Sequence, residues 1–305
     1  MQFWSVTADA AMDGKLLRHV LRQQMRLPQG FVSHLKFVPD GIRLNGVGCH
    51  VDARVRAGDE VAVRIDDAGQ RNPFQPVDTA QVRLVWEDEF FAVLAKDAGI
   101  AVHGADVPER PTVANWAAYR WGAEQAFHPV NRLDRGTSGL MCAAKCGLIH
   151  DRLRGALHTE RFERVYYAVC EGELAEGTGR IDRPIGRETE ASPRRCVTEA
   201  GKPSVTDYEC IAVGDGVSLV RLRLRTGRTH QIRVHMASLG HPLVGDTAYG
   251  GSAALPRPAL HSAFIRLEHP VSGEILCFRE PLPADISALL SEKACTLDEN
   301  VLKYI

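Results

Sequence analysis

Apolar residues recur at helical spacing in four segments of the chain. In residues 14–27 (GKLLRHVLRQQMRL), leucine, valine and methionine fall on one face and basic residues on the other, which predicts an amphipathic helix. A second, short helix is predicted from about Ser33, and a third over residues 147–160. The fourth runs from Thr229, a candidate N-cap, to Gly240, because glycine readily adopts the positive φ of a helix end.

Alternating apolar and polar positions predict strands elsewhere. Residues 41–65 form short alternating runs with turn signals at Asn45-Gly46 and Gly58-Asp59. Strands and helices are interspersed without a regular βαβ rhythm, so the sequence predicts an α+β fold. The other predicted strands lie in VRLVWE and FFAVLAK (82–87 and 90–96), GLMCAAK (139–145), RVYYAVCEG (164–172) and SLVRLRLRTG (218–227).

These segments divide the chain into two domains. Residues 1–68 carry two basic helices and a small hairpin, enough for a small α/β domain. Residues 69–81 are polar, with two prolines and a glycine, and predict a linker. Residues 82–290 then form a larger α+β domain, and residues 291–305 form a C-terminal tail.

Basic residues are concentrated in two segments, although the formal net charge of the 305-residue chain is only −1. Residues 14–39 contain five Lys or Arg residues and no acid, and residues 216–245 contain five arginines and again no acid. Such clusters attract a polyanion even when the net charge is near zero. Three of these arginines (Arg221, Arg223 and Arg225) alternate along a strand and either follow phosphates or form a solvated face.

The remaining composition excludes several classes of protein. No apolar run approaches the ~20 residues of a membrane-spanning helix, and the N-terminus lacks the pattern of a signal peptide. The eight cysteines are scattered, with no CxxC pair or Cys/His cluster. These features predict a cytoplasmic protein with reduced thiols, and a zinc site is the alternative for the cysteines.

An aspartate lies between two arginines in the segment HPVNRLDRGTSGL (128–140). Asp134 follows Arg132 and precedes Arg135, in a stretch too rich in Gly and Ser for a plain helix. Such a carboxylate is either half of a surface ion pair or a group that nearby cations keep ionised, as a nucleophile or general base requires. Taken alone, the pattern favours the ion pair.

A second polar cluster lies in residues 224–251 (LRTGRTHQIRVHMASLGHPLVGDTAYGG). Backbone N–H groups at a helix start, together with an arginine, make an anion site. Tyr166 and Tyr167 lie on opposite faces of a predicted strand, so at most one of them can face such a site. The cluster at the predicted strand-to-helix junction comprises Arg228, His230, Gln231, Arg233 and His235.

Four ordered motifs, NRLDRGTSGL, RVYYA, GRTHQIRVH and GHPLVGDTAYG, resemble those of the RluA-type pseudouridine synthases. The resemblance continues through VWEDEFFAVLAKDAGIAVHG, RPIGR, GKPSVTDYE and LHSAFIRLEHPVSGE, so it covers nearly all of residues 82–283. It implies a catalytic domain with a mixed, mainly antiparallel sheet. The first 65 residues resemble the small αL-type RNA-binding domain that often precedes these enzymes.

Carried over position by position, the resemblance implies roles for individual residues. Asp134 matches the catalytic aspartate, Tyr166 the tyrosine that packs against the target base, and Arg233 the arginine that pairs with the aspartate. Tyr167 is then a packing residue. The residues predicted to contact the substrate RNA are Arg132, Arg135, Thr137, Arg228, His230, Gln231, Lys15, Arg18 and Arg22.

The implied activity is the isomerisation of specific uridines in structured RNA to pseudouridine; large-subunit rRNA is the favoured substrate and tRNA is the alternative. The reaction gains and loses no group, so neither a cofactor nor a metal is expected. The predicted partner is RNA, with no membrane contact, and the protein is predicted to be a monomer. Attack of Asp134 on the anomeric carbon, its attack on the uracil ring and its removal of a ribose proton all remain open.

Two other classes of function also remain open. A non-catalytic RNA-binding protein would use Asp134 only as an ion pair, and a glycosidase-like hydrolase would need a second carboxylate, for which Asp246 is the candidate. Four positions depart from the family pattern. They are Asn131 where His is usual, Gly136 where an acid is usual, Asp97 where Pro is usual and Arg164 where Lys is common.

Overall fold

The computed structural model describes residues 2–67, 72–104, 109–122, 124–174, 177–190 and 192–295. The chain divides into two compact units, each with its own β-sheet. The first unit comprises residues 1–70 with 145–148, and the second comprises residues 71–144 with 149–305. No helix within the described ranges is both long and apolar enough to cross a bilayer.

The first unit contains a four-stranded antiparallel sheet and two short helices. Its strands are β1 (Phe3–Thr7), β2 (Ile42–Leu44), β3 (Val47–Gly48) and β4 (Glu60–Arg64), in the order β1-β4-β2-β3. Its helices are α1 (Leu17–His19), which a π-helical turn extends over Val20–Gln24, and α2 (Gln29–Leu35). The hairpin turn predicted at Asn45-Gly46 is present, and both residues have positive φ, 51° and 80°.

The bounds predicted for these two helices are wrong, although the buried face is right. The first helix is not continuous over residues 14–27, because Arg26 has a φ of 51°, which a right-handed helix cannot accommodate. The second helix starts at Gln29 rather than near Ser33. The predicted apolar face of the first helix is at most 1% exposed at Leu17, Val20, Leu21 and Met25.

The second unit is built on a ten-stranded sheet. The sheet strands are β5 (Val82–Glu87), β6 (Phe91–Lys96), β7 (His128–Pro129), β8 (Ser138–Ala144), β9 (Phe162–Glu171), β10 (Gly177–Asp182), β13 (Val205–Gly214), β14 (Val217–Leu224), β15 (Leu260–Glu268) and β16 (Ile275–Arg279). Two more strands, β11 (Ile185–Arg187) and β12 (Arg195–Val197), form a separate ribbon. The helices are α3 (Val113–Trp121), α4 (Gly147–Ala156), which starts in residues of the first unit, α5 (Gln231–Ser238) and α6 (Ala284–Glu292).

The strand order of the large sheet is β10-β13-β14-β9-β15-β8-β6-β5, with β16 paired to β15 and β7 paired to β8. Within the described strands, pairing is antiparallel except between β8 and β15. The predicted α+β class with a mixed, mainly antiparallel sheet is therefore confirmed. Both faces of the sheet are buried: Tyr166 belongs to one apolar cluster and Tyr167 to another, as the alternation along β9 predicted.

Part of the predicted linker is fastened to α3. The Asn72 side chain donates to Ala114 O (3.0 Å), and the Asn115 side chain donates to Gln75 O (2.9 Å). Residues 72–81 contain no helix or strand, whereas residues 69–71 lie outside the described ranges. In the predicted tail, residues 296–305 also lie outside them.

The predicted N-cap of α5 is wrong. The N-cap is His230, with φ 57° and ψ 20°, and its side chain makes no capping hydrogen bond. Thr229 therefore precedes the cap instead of forming it. Gly240, with φ 86°, follows the helix end as predicted.

Candidate active site

Asp134 lies in the loop that joins β7 to β8. Two backbone bonds shape this loop: the Val130 N–H donates to Cys142 O (2.8 Å), and the Thr137 N–H donates to Asp134 O (3.0 Å). Gly139, in β8, has φ 104°, and a Cβ there would lie 2.2 Å from a backbone oxygen of β15. Only glycine permits this approach, so the Gly-Thr-Ser-Gly run anchors the loop against β15.

Lys96, at the end of β6, connects the Asp134 loop to the loop that follows β6. Its ammonium donates to the carbonyl oxygens of Asp97 (2.9 Å), Ile100 (2.9 Å) and Arg135 (3.3 Å). Burial lowers the pKa of Lys96 to about 7, although the charge of Asp134 acts in the opposite direction. Lys96 is not among the site residues predicted from the sequence. Its available signal was a lysine at the end of the apolar segment FFAVLAK, where a buried cation requires partners.

The Asp134 carboxylate faces two residues at the start of α5. Its Oδ2 lies 3.6 Å from Arg233 Nη1 and 3.9 Å from His230 Nε2, and its side chain is 27% exposed. Within the described residues, no ion pair joins it to Arg132 or Arg135. The Arg135 Nε donates instead to a backbone carbonyl (2.7 Å). The arginines adjacent in sequence are thus not the ones that contact the carboxylate.

Two hydrogen bonds to Asp246 fix the Arg233 side chain. Its Nε and Nη2 donate to the two carboxylate oxygens at 2.6 and 2.7 Å, and Asp246 is 1% exposed. Burial opposes the charge of Arg233, but the bonds to Asp246 and the charge of Asp134 outweigh it and raise the pKa. Asp246 accepts both bonds as a carboxylate, an arrangement that does not suit the proton-donating acid of a hydrolase.

Tyr249 is a second residue that the sequence analysis did not assign. Its hydroxyl lies 2.8 Å from His230 Nδ1, and the Arg233 guanidinium carbon lies 4.8 Å from the centre of its ring. The residue stands in the motif VGDTAYG, three positions after Asp246. Its available sequence signal was therefore its place in this motif, close to Asp246.

A cavity of about 740 Å³ opens at Asp134. Tyr166, 3% exposed, contributes to its wall. Among the described lining residues, Asp134 is the acid, and the cavity otherwise carries positive charge, which suits an anionic ligand. The lining arginines are Arg132, Arg135, Arg154, Arg164 and Arg228.

Three histidines line this cavity, and burial lowers the pKa of all three, His103, His150 and His158, so they contribute no positive charge near neutral pH. Burial and the charge of Arg164 lower the pKa of His158 to about 4. Burial and the charge of Arg132 also lower the pKa of His103. The positive charge of the cavity therefore comes from arginines, which do not titrate in the physiological range.

The residues predicted to contact RNA near the cavity fall into two groups. Arg132 and Arg228 are exposed. Thr137 and Gln231, in contrast, are only 2% and 3% exposed. The Gln231 amide donates to Val205 O and to a threonine hydroxyl, and its oxygen accepts two further bonds. Both side chains are thus buried in the free protein, and their contact with RNA stays a prediction.

The basic residues predicted to bind RNA in the first unit are all exposed. Lys15, Arg18 and Arg22 lie before and along the first helix, with their side chains in solvent. Arg22 donates to the Gln29 side chain (3.3 Å). None of the three has a carboxylate partner among the described residues.

The arginines along β14 and directly after it have a different environment. Arg221 is paired with Glu209, Arg223 with Glu163 (3.0 Å) and Arg225 with Asp207 (2.7 Å). Their charge is therefore largely balanced within the protein, which favours a solvated strand face over a phosphate-binding one.

Three of the departures from the family pattern have a structural setting. A Cβ at Gly136 would lie 2.9 Å from Pro258 Cδ, so an acidic side chain there would require the proline to move. Asn131 is buried, and its Oδ1 accepts a backbone N–H of β8 (2.8 Å). The Asp97 N–H donates to Gln81 O (2.8 Å), a bond that proline cannot form.

Comparison with known proteins identifies the family. The family model described as RNA pseudouridylate synthase matches residues 91–238, which contain the catalytic candidates. The chain is 35% identical to the uncharacterized RNA pseudouridine synthase YhcT of Bacillus subtilis, over 91% of this chain and 93% of that protein. It is 40% identical to a ribosomal large subunit pseudouridine synthase D of Vibrio parahaemolyticus, over 68% of this chain and 69% of that protein.

Solved structures agree with this similarity. The human RNA pseudouridylate synthase domain containing 1 is 26% identical and superimposes with a TM-score of 0.56, covering 74% of this chain and 99% of that one. The fold and the sequence similarity together define an enzyme that modifies RNA bases by isomerisation. The chain belongs to the RluA-type RNA pseudouridine synthases.

Proposed function

We propose that this enzyme converts uridines of large-subunit ribosomal RNA to pseudouridine, with Asp134 as the reacting carboxylate. The observation that carries the assignment is the position of Asp134 in a cavity lined by arginines, 3.6 Å from an arginine that Asp246 holds in place. The RNA class is supported by relatives from Vibrio parahaemolyticus and Pseudomonas aeruginosa, 40% and 37% identical, which are named ribosomal large subunit pseudouridine synthase D.

The target nucleotide must leave its base stack to reach Asp134. Flipping a nucleotide costs a few kcal/mol, and stacking on an aromatic side chain recovers about 1–3 kcal/mol. Tyr166, in the cavity wall, is the residue proposed to pack against the flipped uracil. Its burial in β9 holds the ring in one place, so little side-chain entropy is lost on binding.

Arg233 is proposed to keep Asp134 ionised and oriented. A guanidinium that donates two bonds to Asp246 has little freedom to turn, so its third nitrogen presents a fixed positive charge to Asp134. The ionised carboxylate then attacks the anomeric carbon or the uracil ring, or removes the ribose proton at C2′. Substrate deuterated at C2′ distinguishes the last route, because only proton removal gives a primary isotope effect.

The two units are proposed to divide the work of binding RNA. Residues 1–68 act as the RNA-binding domain through Lys15, Arg18 and Arg22, and residues 82–290 act as the catalytic domain. In the cavity, the exposed Arg132 and Arg228 contact the phosphates next to the target. Phosphate contacts of this kind position the RNA without reading its sequence.

The two alternative functions have less support. A non-catalytic RNA-binding protein has no need to hold an arginine beside a carboxylate in a cavity of this size. A hydrolase with two carboxylates would use Asp246, which is buried and engaged by Arg233.

The proposal is tested with purified protein and two RNA substrates, a large-subunit rRNA transcript and a tRNA pool. We expect pseudouridine to form in the rRNA transcript. Asp134→Asn preserves shape and is expected to abolish turnover while the Kd for RNA changes less than about threefold. Comparable activity of Asp134→Asn would refute the assignment of Asp134, and modification of tRNA alone would refute the assignment of the RNA class.

A further inference from the structure

His230 adopts a strained backbone conformation at the start of α5. Its φ of 57° and ψ of 20° lie in the left-handed region, which residues other than glycine rarely occupy. Its side chain does not cap the helix. Strain of this kind persists where the surrounding structure requires a side chain in one place. The conformation therefore indicates a role for the imidazole outside the helix.

The imidazole is held by Tyr249, in the 3-10 turn Thr247–Tyr249. His230 Nδ1 lies 2.8 Å from the tyrosine oxygen, and the Arg195 N–H donates to the same oxygen at 3.0 Å. The hydroxyl hydrogen of Tyr249 can then point to His230 Nδ1, the acceptor within its reach among the described residues. A neutral imidazole whose Nδ1 accepts this bond carries its ring proton on Nε2.

Tyr249 contacts both groups that face Asp134. Its ring lies against the Arg233 guanidinium at 4.8 Å, a cation–π contact. His230 Nε2 is 3.9 Å from Asp134 Oδ2, and Arg233 Nη1 is 3.6 Å from the same oxygen. Both distances are longer than hydrogen bonds, as is common in free enzymes, where catalytic bonds shorten when substrate binds.

We propose that His230 and Tyr249 are positioning residues for the reaction at Asp134. His230, protonated on Nε2, donates to the Asp134 carboxylate when RNA is bound, and Tyr249 fixes that tautomer and supports Arg233. This inference rests on the proposed function, in which Asp134 is the reacting group.

The surroundings of His230 keep the imidazole neutral near pH 7. Burial lowers its pKa; Asp134 and Asp246 act against burial, and Arg233 and Arg195 act with it. A second proton would prevent Nδ1 from accepting the Tyr249 hydrogen and would place another cation beside Asp134. Activity should therefore fall as the pH drops through the lowered pKa of His230.

Two conservative variants test the proposal. His230→Asn tolerates the left-handed backbone and places an amide near Nδ1, but has no atom at Nε2. Tyr249→Phe keeps the ring against Arg233 and removes the hydroxyl. We expect each variant to lower kcat about 10- to 100-fold, with KM and the Kd for RNA within about twofold. The double variant should be no slower than His230→Asn, because both changes act through one bond.

Two readouts and one control variant separate positioning from general structure. Wild-type kcat should decline below about pH 6.5, the ordinary pKa of histidine, and His230→Asn should lack that decline. Nitrogen NMR of the histidines should show His230 protonated on Nε2. Tyr119→Phe, at an exposed tyrosine, is the control and should leave kcat unchanged.

The outcomes also separate this inference from the proposed function. An active wild type with His230→Asn and Tyr249→Phe equally active would overturn the positioning role alone. A proton on Nδ1 of His230 would do the same. A wild type that makes no pseudouridine in any RNA would overturn the proposed function itself.

Discussion

Positive charge is used differently in the two units of this enzyme. In the second unit, the Arg233 side chain is 11% exposed and donates two bonds to Asp246. In the first unit, Lys15, Arg18 and Arg22 are exposed and have no carboxylate partner among the described residues. The hydrogen bonds of Arg233 hold its positive charge at one point, whereas the charges of the exposed residues in the first unit are in contact with solvent.

This difference has energetic consequences. The charge of a buried guanidinium that makes two hydrogen bonds is little screened by salt, so its effect on a neighbouring carboxylate depends on geometry. Exposed basic side chains attract RNA phosphates through release of counterions, so their effect depends strongly on salt. We therefore expect substitutions near Asp134 to change kcat, and substitutions in the first unit to change affinity.

The largest effect is expected for Arg233→Lys. Lysine keeps the charge but cannot make the two parallel bonds to Asp246, so the charge beside Asp134 is no longer fixed. We expect kcat to fall about 100-fold or more, with the Kd for RNA within about threefold. Arg228→Lys is the matched control, since it makes the same change at an exposed position of the same segment, and it should lower kcat less than threefold. Equal effects of the two substitutions would remove the distinction between fixed and mobile charge.

A second prediction concerns stability and Lys96, a buried cation that has no carboxylate hydrogen bond within the described part of the chain. Its pKa in the folded protein is about 7, against an ordinary value of 10.5. Between these values the unfolded chain binds a proton that the folded protein has lost, so the contribution of Lys96 to the free energy of unfolding rises with pH. The slope is at most about 1.4 kcal/mol per pH unit.

The measurement is urea unfolding of the wild type and of Lys96→Met between pH 7 and 9. The wild type should gain stability relative to the variant as the pH rises, because methionine has no proton to lose. A difference independent of pH would show that Lys96 titrates normally in the folded protein.

The smallest effect on turnover is expected in the first unit. Replacing Lys15, Arg18 and Arg22 together by alanine should weaken RNA binding about tenfold near 0.1 M salt and leave kcat within about twofold. If each residue contacts a phosphate, the slope of log K against log salt should become shallower by about 2 to 3.

The control triple consists of exposed arginines of the second unit that already have carboxylate partners. Arg83, Arg180 and Arg223 are paired with Glu280, Asp207 and Glu163. Their replacement by alanine should leave the salt slope unchanged. If both triples reduce the slope equally, the first unit has no special role in binding RNA.

Much of the fold could be predicted from local patterns. The alternation along β9 separated Tyr166 from Tyr167, and the Asn45-Gly46 pair marked a hairpin, because both depend on neighbouring residues alone. The helix bounds in the first unit and the cap of α5 could not be predicted in the same way. Arg26 has a positive φ that ends the first helix, and His230 has a positive φ directly before α5. Nothing in the local sequence of either residue requires a positive φ.

The candidate site likewise has features that the sequence predicts and features that depend on the tertiary structure. The order of the motifs in the sequence identified the family and singled out Asp134, Tyr166 and Arg233 as candidates, since a motif match depends only on residue type and order along the chain. Only the tertiary structure decided which residues support them. Asp246 accepts hydrogen bonds from Arg233, Tyr249 contacts His230, and Lys96 joins two loops through their backbone carbonyls. Such contacts join residues far apart in sequence or depend on the path of the backbone. Their distances are set by how β6, β8, β9 and α5 pack, and no local pattern records that packing.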